Sequence, residues 1–209
     1  MFKHFHKSMA LLVVFSLCAL ASGDDPGHGS AAPPLKDLLS EDVRTVDRAV
    51  DVILNDRKKT IEQLIPMIDP ANSKKYSDFT RCAAAYLLGE LRAEEAVPVL
   101  SKALANQPGR KTIDTISRYD GPVSSALFKI GRPAIPAMIE NIKSSDNEDL
   151  RRDSALILEY FVGGKPRLLQ LLDKLDAKTG PAEQRVSRRI RDTKAWAESN
   201  ITEAEEPLY

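Results

Sequence analysis

The stretch Arg81-Cys-Ala-Ala-Ala-Tyr-Leu-Leu-Gly-Glu-Leu-Arg-Ala-Glu-Glu-Ala-Val-Pro-Val-Leu-Ser-Lys-Ala-Leu104 decides the fold. In its first half Ala83, Ala84, Leu87, Leu88 and Leu91 recur at the spacing of one helix face. After a turn at Arg92-Ala93, Val97, Leu100 and Leu104 fall at i, i+3 and i+7 and mark the buried stripe of a second helix. Two amphipathic helices joined by a short turn make an antiparallel hairpin.

The same second-helix stripe recurs along the chain. With Ile61, Val97, Ile135 and Leu168 as equivalent anchors, the i+3 positions are Leu64, Leu100, Met138 and Leu171, and the i+7 positions are Ile68, Leu104, Ile142 and Leu175, all apolar. At i+4, Ile65, Ile139 and Leu172 are apolar and Ser101 is the exception. The anchors lie 36, 38 and 33 residues apart, the period of a helical-hairpin repeat. A partner helix precedes each anchor: Val43, Val46, Val50 and Ile53; the alanine-rich helix above; Val123, Ala126, Leu127 and Ile130; Leu150, Ile157, Leu158 and Phe161. Turns at Asn55-Asp56, Gly131-Arg132 and Gly163-Gly164 match Arg92-Ala93. Asp78, Asp120 and Asp146 are each expected to put an acceptor or a negative charge near the exposed N–H groups of a helix start, and residues 107–119, polar and too long for a turn, read as a loop or an extra turn.

Paired alanines, Leu88-Gly89 and Ala96-Val97-Pro98 leading into Leu100 and Leu104 resemble the HEAT repeat of the phycobilisome-lyase-like type. Ala126-Leu-Phe-Lys-Ile-Gly131 followed by Ala134-Ile-Pro-Ala-Met138 is a second copy. The first and fourth units lack the Val-Pro or Ile-Pro signature and join on periodicity. The resemblance spans roughly residues 41–175 and implies an all-α fold: a short right-handed α-solenoid of about four HEAT-like helical hairpins with a C-terminal capping helix. The expected units are 41–69, 78–106, 120–144 and 147–176 within a domain of 35–201, capped by a helix over 181–201. Val186, Ile190, Thr193 and Ala197 form that helix's inward face, and 202–209 remain as a tail.

The first residues read differently. A basic start (Lys3, His4, His6, Lys7), an apolar run from Met9 to Leu20 and Ala19-Leu20-Ala21 make up a secretory signal peptide, expected to be cleaved after Ala21. The apolar run is too short to span a bilayer as a helix. Residues 22–34, SGDDPGHGSAAPP, have no apolar face and read as a flexible leader. The expected location is secreted or periplasmic, with no transmembrane segment in the mature chain.

Composition narrows the chemistry. Of 30 basic residues Lys3 and Lys7 leave with the signal, so 28 face 30 acidic residues, formally −2. That balance argues against a nucleic-acid partner. Cys82 remains the sole cysteine after Cys18 is removed, and its setting among alanines suits a buried structural thiol better than a reactive one. The folded body has no histidine, since His28 lies in the leader, and this disfavours Ser-His-Asp, Cys-His and His-zinc sites. Asp146-Asn147-Glu148-Asp149 lacks the glycine and distal glutamate of a calcium loop and reads as helix capping. Arg185, Arg188, Arg189 and Arg191 are interleaved with acids and read as a solvated face.

These readings predict a non-enzymatic scaffold or adaptor for an unknown protein partner in the cell envelope or secreted space, with no cofactor, metal or catalytic residue. The binding surface expected on the second helices comprises Gln63, Met67, Lys102, Glu140, Asn141, Gln170, Asp173 and Lys174. Positions five and six after each anchor, which also include Pro66 and Ala103, are expected to be exposed. The resemblance leaves open a HEAT-like lyase or enzyme subunit related to bilin lyases, and a third reading makes residues 22–34 the tether of an envelope assembly.

Overall fold

The computed structural model describes residues 37, 42–108 and 121–202; the expected signal, the leader and the loop expected over 107–119 fall outside these residues wholly or, for the loop, from 109 on. The described residues form nine α-helices and no strand: α1 Val43–Asn55, α2 Arg57–Ile68, α3 Asp78–Glu90, α4 Val97–Ala103, α5 Pro122–Ile130, α6 Ile135–Ser144, α7 Glu148–Val162, α8 Lys165–Ala177 and α9 Gln184–Asn200. Short 3-10 turns at Glu94–Ala96 and Arg132–Ala134 lead into α4 and α6, where Pro98 and Pro136 stand at the helix start and forgo only N–H groups that have no intrahelical partner.

Repeat-to-repeat packing follows from the apolar stripes. Ile61, Leu64, Ile68, Val97, Leu100, Leu104, Met138, Ile142 and Leu168 are buried in one continuous core, and Ile135, Leu171 and Leu175 pack against it half-buried. In this core α2 lies on α3, α3 on α5, α5 on α4, α4 on α6 and α6 on α7. Alanines permit the close approach of first helices: a Cβ on Gly89 of α3 would stand 2.7 Å from the Cα of Ala126 in α5. The side chains of Val43 and Val46 are outside the described residues.

After the first unit, whose Asp56 keeps a negative φ, the turns use a residue at positive φ. Gly163 (φ 85°) and Gly164 (φ 102°) supply it between α7 and α8, but the matching turn of the second unit uses Arg92 at φ 46°. Arg57 of α2 braces that turn across the repeat boundary, donating to Leu91 O at 3.1 Å, Arg92 O at 3.3 Å and the Glu95 carboxylate at 3.1 Å.

At two helix starts the capping acceptor is the residue beside the expected one, while Asp78 still places its negative charge in the first turn of α3. Ser77, not Asp78, caps α3 by accepting from Thr80 N at 3.2 Å, and Asn147, not Asp146, caps α7 by accepting from Leu150 N at 3.1 Å. Helix α5 begins at Gly121, which has no side chain to cap with; Gln107 takes over, its Oε1 accepting from Ser124 N at 3.1 Å and its Nε2 donating to Ser124 Oγ at 2.8 Å. Asp120 lies outside the described residues.

Helix α9 does more than close the end. It packs on α8 and α7 and also along α6 of the third unit, with Ile190, Thr193, Ala197 and Ile201 buried and Val186 half-buried. Its arginines are not all solvated as the charge pattern suggested. Arg189 alone is withdrawn from solvent, donating to Lys143 O at 3.1 Å and pairing with Asp146, while Arg191 pairs with Asp176 at 2.9 Å and stays exposed. Arg185 and Arg188 do face solvent.

Candidate interaction surfaces

The residues expected on the second-helix face divide by environment. Lys102, Glu140, Gln170 and Lys174 are exposed on α4, α6 and α8. Met67 is not: it is 6% exposed and belongs to the core, as does Ala103, because the sixth position after the anchor flanks the buried stripe in the first two units. Asn141, at the same position in α6, is half-buried; its Nδ2 donates to Ser101 O at 3.2 Å and Ser154 Oγ at 3.1 Å, joining α4, α6 and α7. Gln63 is half-buried and engaged within the fold. Asp173 is exposed but held by Lys194 of α9 at 2.6 Å, and that hydrogen bond raises the pKa of the lysine. The four exposed residues carry mixed charge and no aromatic anchor.

The first helices present something different. Phe128 of α5 and Tyr160 and Phe161 of α7 form an edge-to-face cluster, with ring centroids 4.8 Å apart for Phe128–Tyr160, 5.8 Å for Phe128–Phe161 and 5.6 Å for Tyr160–Phe161. Phe161 faces the core, and Tyr160 is 64% exposed on top of the other two rings. Further along the same layer Lys129 of α5 lies over the ring of Tyr86 in α3, at 4.3 Å from its centroid, and pairs with Glu90. Burial first and the Glu90 carboxylate second push the Tyr86 hydroxyl pKa upward, so it stays protonated.

Sequence reasoning missed Tyr160, although a signal was present. Adjacent residues on a helix project about 100° apart, so Tyr160 and Phe161 cannot both face a single core stripe. Once Phe161 is assigned inward, Tyr160 must point elsewhere.

Among the described residues no group of three His, Cys, Asp or Glu side chains is placed to hold a metal ion, and no helix is long and apolar enough to cross a membrane. Cys82 is buried, and desolvation, followed by the nearby Asp78 charge, pushes its thiol up to about 11. A thiol so protonated at neutral pH is a poor nucleophile. Asp146, read from sequence as a helix cap, instead accepts from Arg189, and that hydrogen bond holds its carboxyl below the usual range.

Stacked helical pairs sharing one core define the class: an all-α helical-repeat protein. Residues 80–106, the hairpin of α3 and α4, match the family model described as PBS lyase HEAT-like repeat, so that hairpin is similar to a HEAT repeat. Comparison with curated proteins and with solved structures returned no match.

Proposed function

We propose that the protein is a non-catalytic protein-interaction module, a scaffold or adaptor exported from the cytoplasm, and that the aromatic surface at Tyr160 is the centre of its contact with a protein partner. The exposure of Tyr160 above Phe128 and Phe161 carries this reading. Tyrosine gives a large, rigid, amphipathic contact at low entropic cost, and such residues are enriched among those that dominate interface energetics. The second-helix residues Lys102, Glu140, Gln170 and Lys174 form the alternative surface, and their long charged or amide side chains suit an interface rim. No observation favours the lyase reading over this one.

The test compares two variants of residues 22–209: Tyr160→Ala, and Lys102→Ala with Glu140→Ala and Gln170→Ala together. Partners captured by the parent chain from envelope and secreted fractions are expected to be lost with Tyr160→Ala and retained with the triple variant, both variants keeping the helical circular dichroism of the parent. The opposite pattern would move the interface to the second helices. Retention by both would overturn the module reading at these surfaces. Export is tested separately: protein recovered from the envelope or medium is expected to begin at Ser22.

A further inference from the structure

Helix α9 breaks the order of the array. In the first three units the second helices lie directly on one another, α2 on α4 and α4 on α6; past α6 the next neighbour is α9, and α8 stacks on α7 and α9 instead. The flank of α6 that the order of the earlier units would give to α8 is filled by a helix from beyond the last hairpin. We infer that α9 is a detachable strap seated in a groove formed by α6, α7 and α8, and that the groove takes in its place a basic amphipathic helix of a protein partner. None of its residues belongs to the Tyr160 surface proposed above, and each of the two sites can fail without the other.

Little apolar area holds α9 down. Its buried positions are Ser187, Ile190, Thr193 and Ala197, so one large aliphatic side chain is fully buried within the helix, and Ile201 adds a second just past its end. Val186 and Trp196 pack half-buried beside them. Helix α7, which lines the same groove, buries Leu156, Ile157 and Leu158 in succession. A helix with few buried apolar contacts opens locally at a lower free energy than the body it rests on.

Charge makes up for the missing area. Arg189 pairs with Asp146, Arg191 with Asp176 at 2.9 Å and Lys194 with Asp173 at 2.6 Å, while Ser187 donates to Asp176 as well. The side chains of Asp146 and Asp173 are 75% and 60% exposed, and ion pairs so open to water hold weakly and yield to salt. The sorting of sign is complete in these three pairs: every base belongs to α9, and every acid to α8 or the link between α6 and α7. With α9 lifted, the groove keeps three carboxylates on its rim. Its floor includes Leu156, one turn along α7 from the Arg152 that Trp196 now covers. Such a groove selects a helix whose narrow stripe of small and aliphatic residues is flanked by Arg or Lys, and it repels an acidic one.

Hydrogen exchange of the chain 22–209, read by mass spectrometry, tests the strap. Amides of residues 184–200 are expected to exchange as one block ahead of those of α6 and α7. Their rate should rise about three- to tenfold between about 0.05 M and about 1 M salt, while α3 and α5 keep theirs. Exchange of α9 in step with α6 would overturn the strap. The groove is tested with a fluorescent synthetic peptide of residues 184–201 as the probe. In the parent the cis helix competes at an effective concentration in the mM range, so the peptide should bind Ile190→Asp, in which α9 is unseated, at least about tenfold more tightly. Arg189→Ala with Lys194→Ala loosens α9 without touching its apolar stripe and should shift affinity in the same direction, which settles the matter even where Ile190→Asp disturbs folding. Asp146→Asn, Asp173→Asn and Asp176→Asn, added together to either variant, should remove the gain. A peptide carrying Arg189→Glu, Arg191→Glu and Lys194→Glu should not bind. Equal affinity for the parent and both loosened variants, binding of the charge-reversed peptide, or dimers that exchange α9 between copies and shut the peptide out would each overturn the assignment of the groove.

Discussion

Arg92 holds a left-handed conformation that costs an L-residue with a Cβ roughly 1–2 kcal/mol. Its side chain is exposed, and its carbonyl rather than its guanidinium receives the bond from Arg57. Arg92→Gly is therefore expected to stabilise the protein by about 0.5–1 kcal/mol, after the extra freedom glycine gains in the unfolded chain is subtracted. A rise in the urea midpoint at constant m-value would show it. Cys82 makes a second expectation at this scale. A thiol buried and raised to about 11 is protonated through the neutral range, so a disulfide reagent at pH 8 should leave it untouched in the folded protein and modify it once urea unfolds the chain. Rapid modification without denaturant would contradict the burial. The local pattern already pointed to this thiol as structural, since Ala83, Ala84 and Ala85, which follow Cys82, mark a helix packed closely against its neighbours.

At the scale of elements, α9 is held by charge as well as by its apolar face. Asp146 is lowered below its ordinary 3.8 by the hydrogen bond from Arg189, and Asp176 by the hydrogen bond from Ser187 and then by Arg191. A carboxyl lowered in the folded state contributes stability that is present above its unfolded value and is lost as pH falls through the folded one. The window therefore lies below 3.8. Trp196, the only tryptophan, reports on this helix through its place beside Arg152. Its emission is expected to shift toward that of exposed indole as the solution is acidified through that window. In Asp146→Asn with Asp176→Asn the shift should be shallower, because the contribution is already missing at neutral pH. The inward stripe of α9 was readable from Ile190, Thr193 and Ala197 because periodicity is local. The pairing of Arg189 with Asp146 was not, since Asp146 lies between α6 and α7, 43 residues before Arg189, and nothing in α9 itself marks which arginine will find an acid. The misplacement of the α7 cap by one residue had the same root: Asp146 and Asn147 are both good acceptors, and only the tertiary partner of Asp146 decides between them.

For the whole molecule, the repeat period conveyed the class of fold, because each hairpin can bury its apolar stripe only against the next. The surfaces were less legible. A fixed register predicts Met67 and Asn141 outward, yet the edge of a helix stripe is where small rotations exchange solvent for core. Asn141 in particular spends its amide on Ser101 O and Ser154 Oγ, and Asn141→Ala is expected to cost about 1–2 kcal/mol by leaving Ser101 O without that donor. Because α4, α6 and α7 meet at this amide, the loss should appear as a lower midpoint of a single unfolding transition. A separate early transition would mean that the units unfold independently.

Gln107 has a consequence for how the chain can vary. By bonding Ser124 through both polar atoms of its amide it ties residue 107, at the end of the second unit, directly to the first turn of α5. Lengthening the chain between two points held together in this way costs little closure entropy, about 0.6 kcal/mol for each doubling where that chain is flexible. An epitope or a small folded tag inserted there should leave the thermal midpoint within a few degrees of the parent, whereas the same insertion in a Gln107→Ala background should lower it further. The junction between the second and third repeats is thus a natural graft point, where new sequence can be added to the array without renegotiating the array itself.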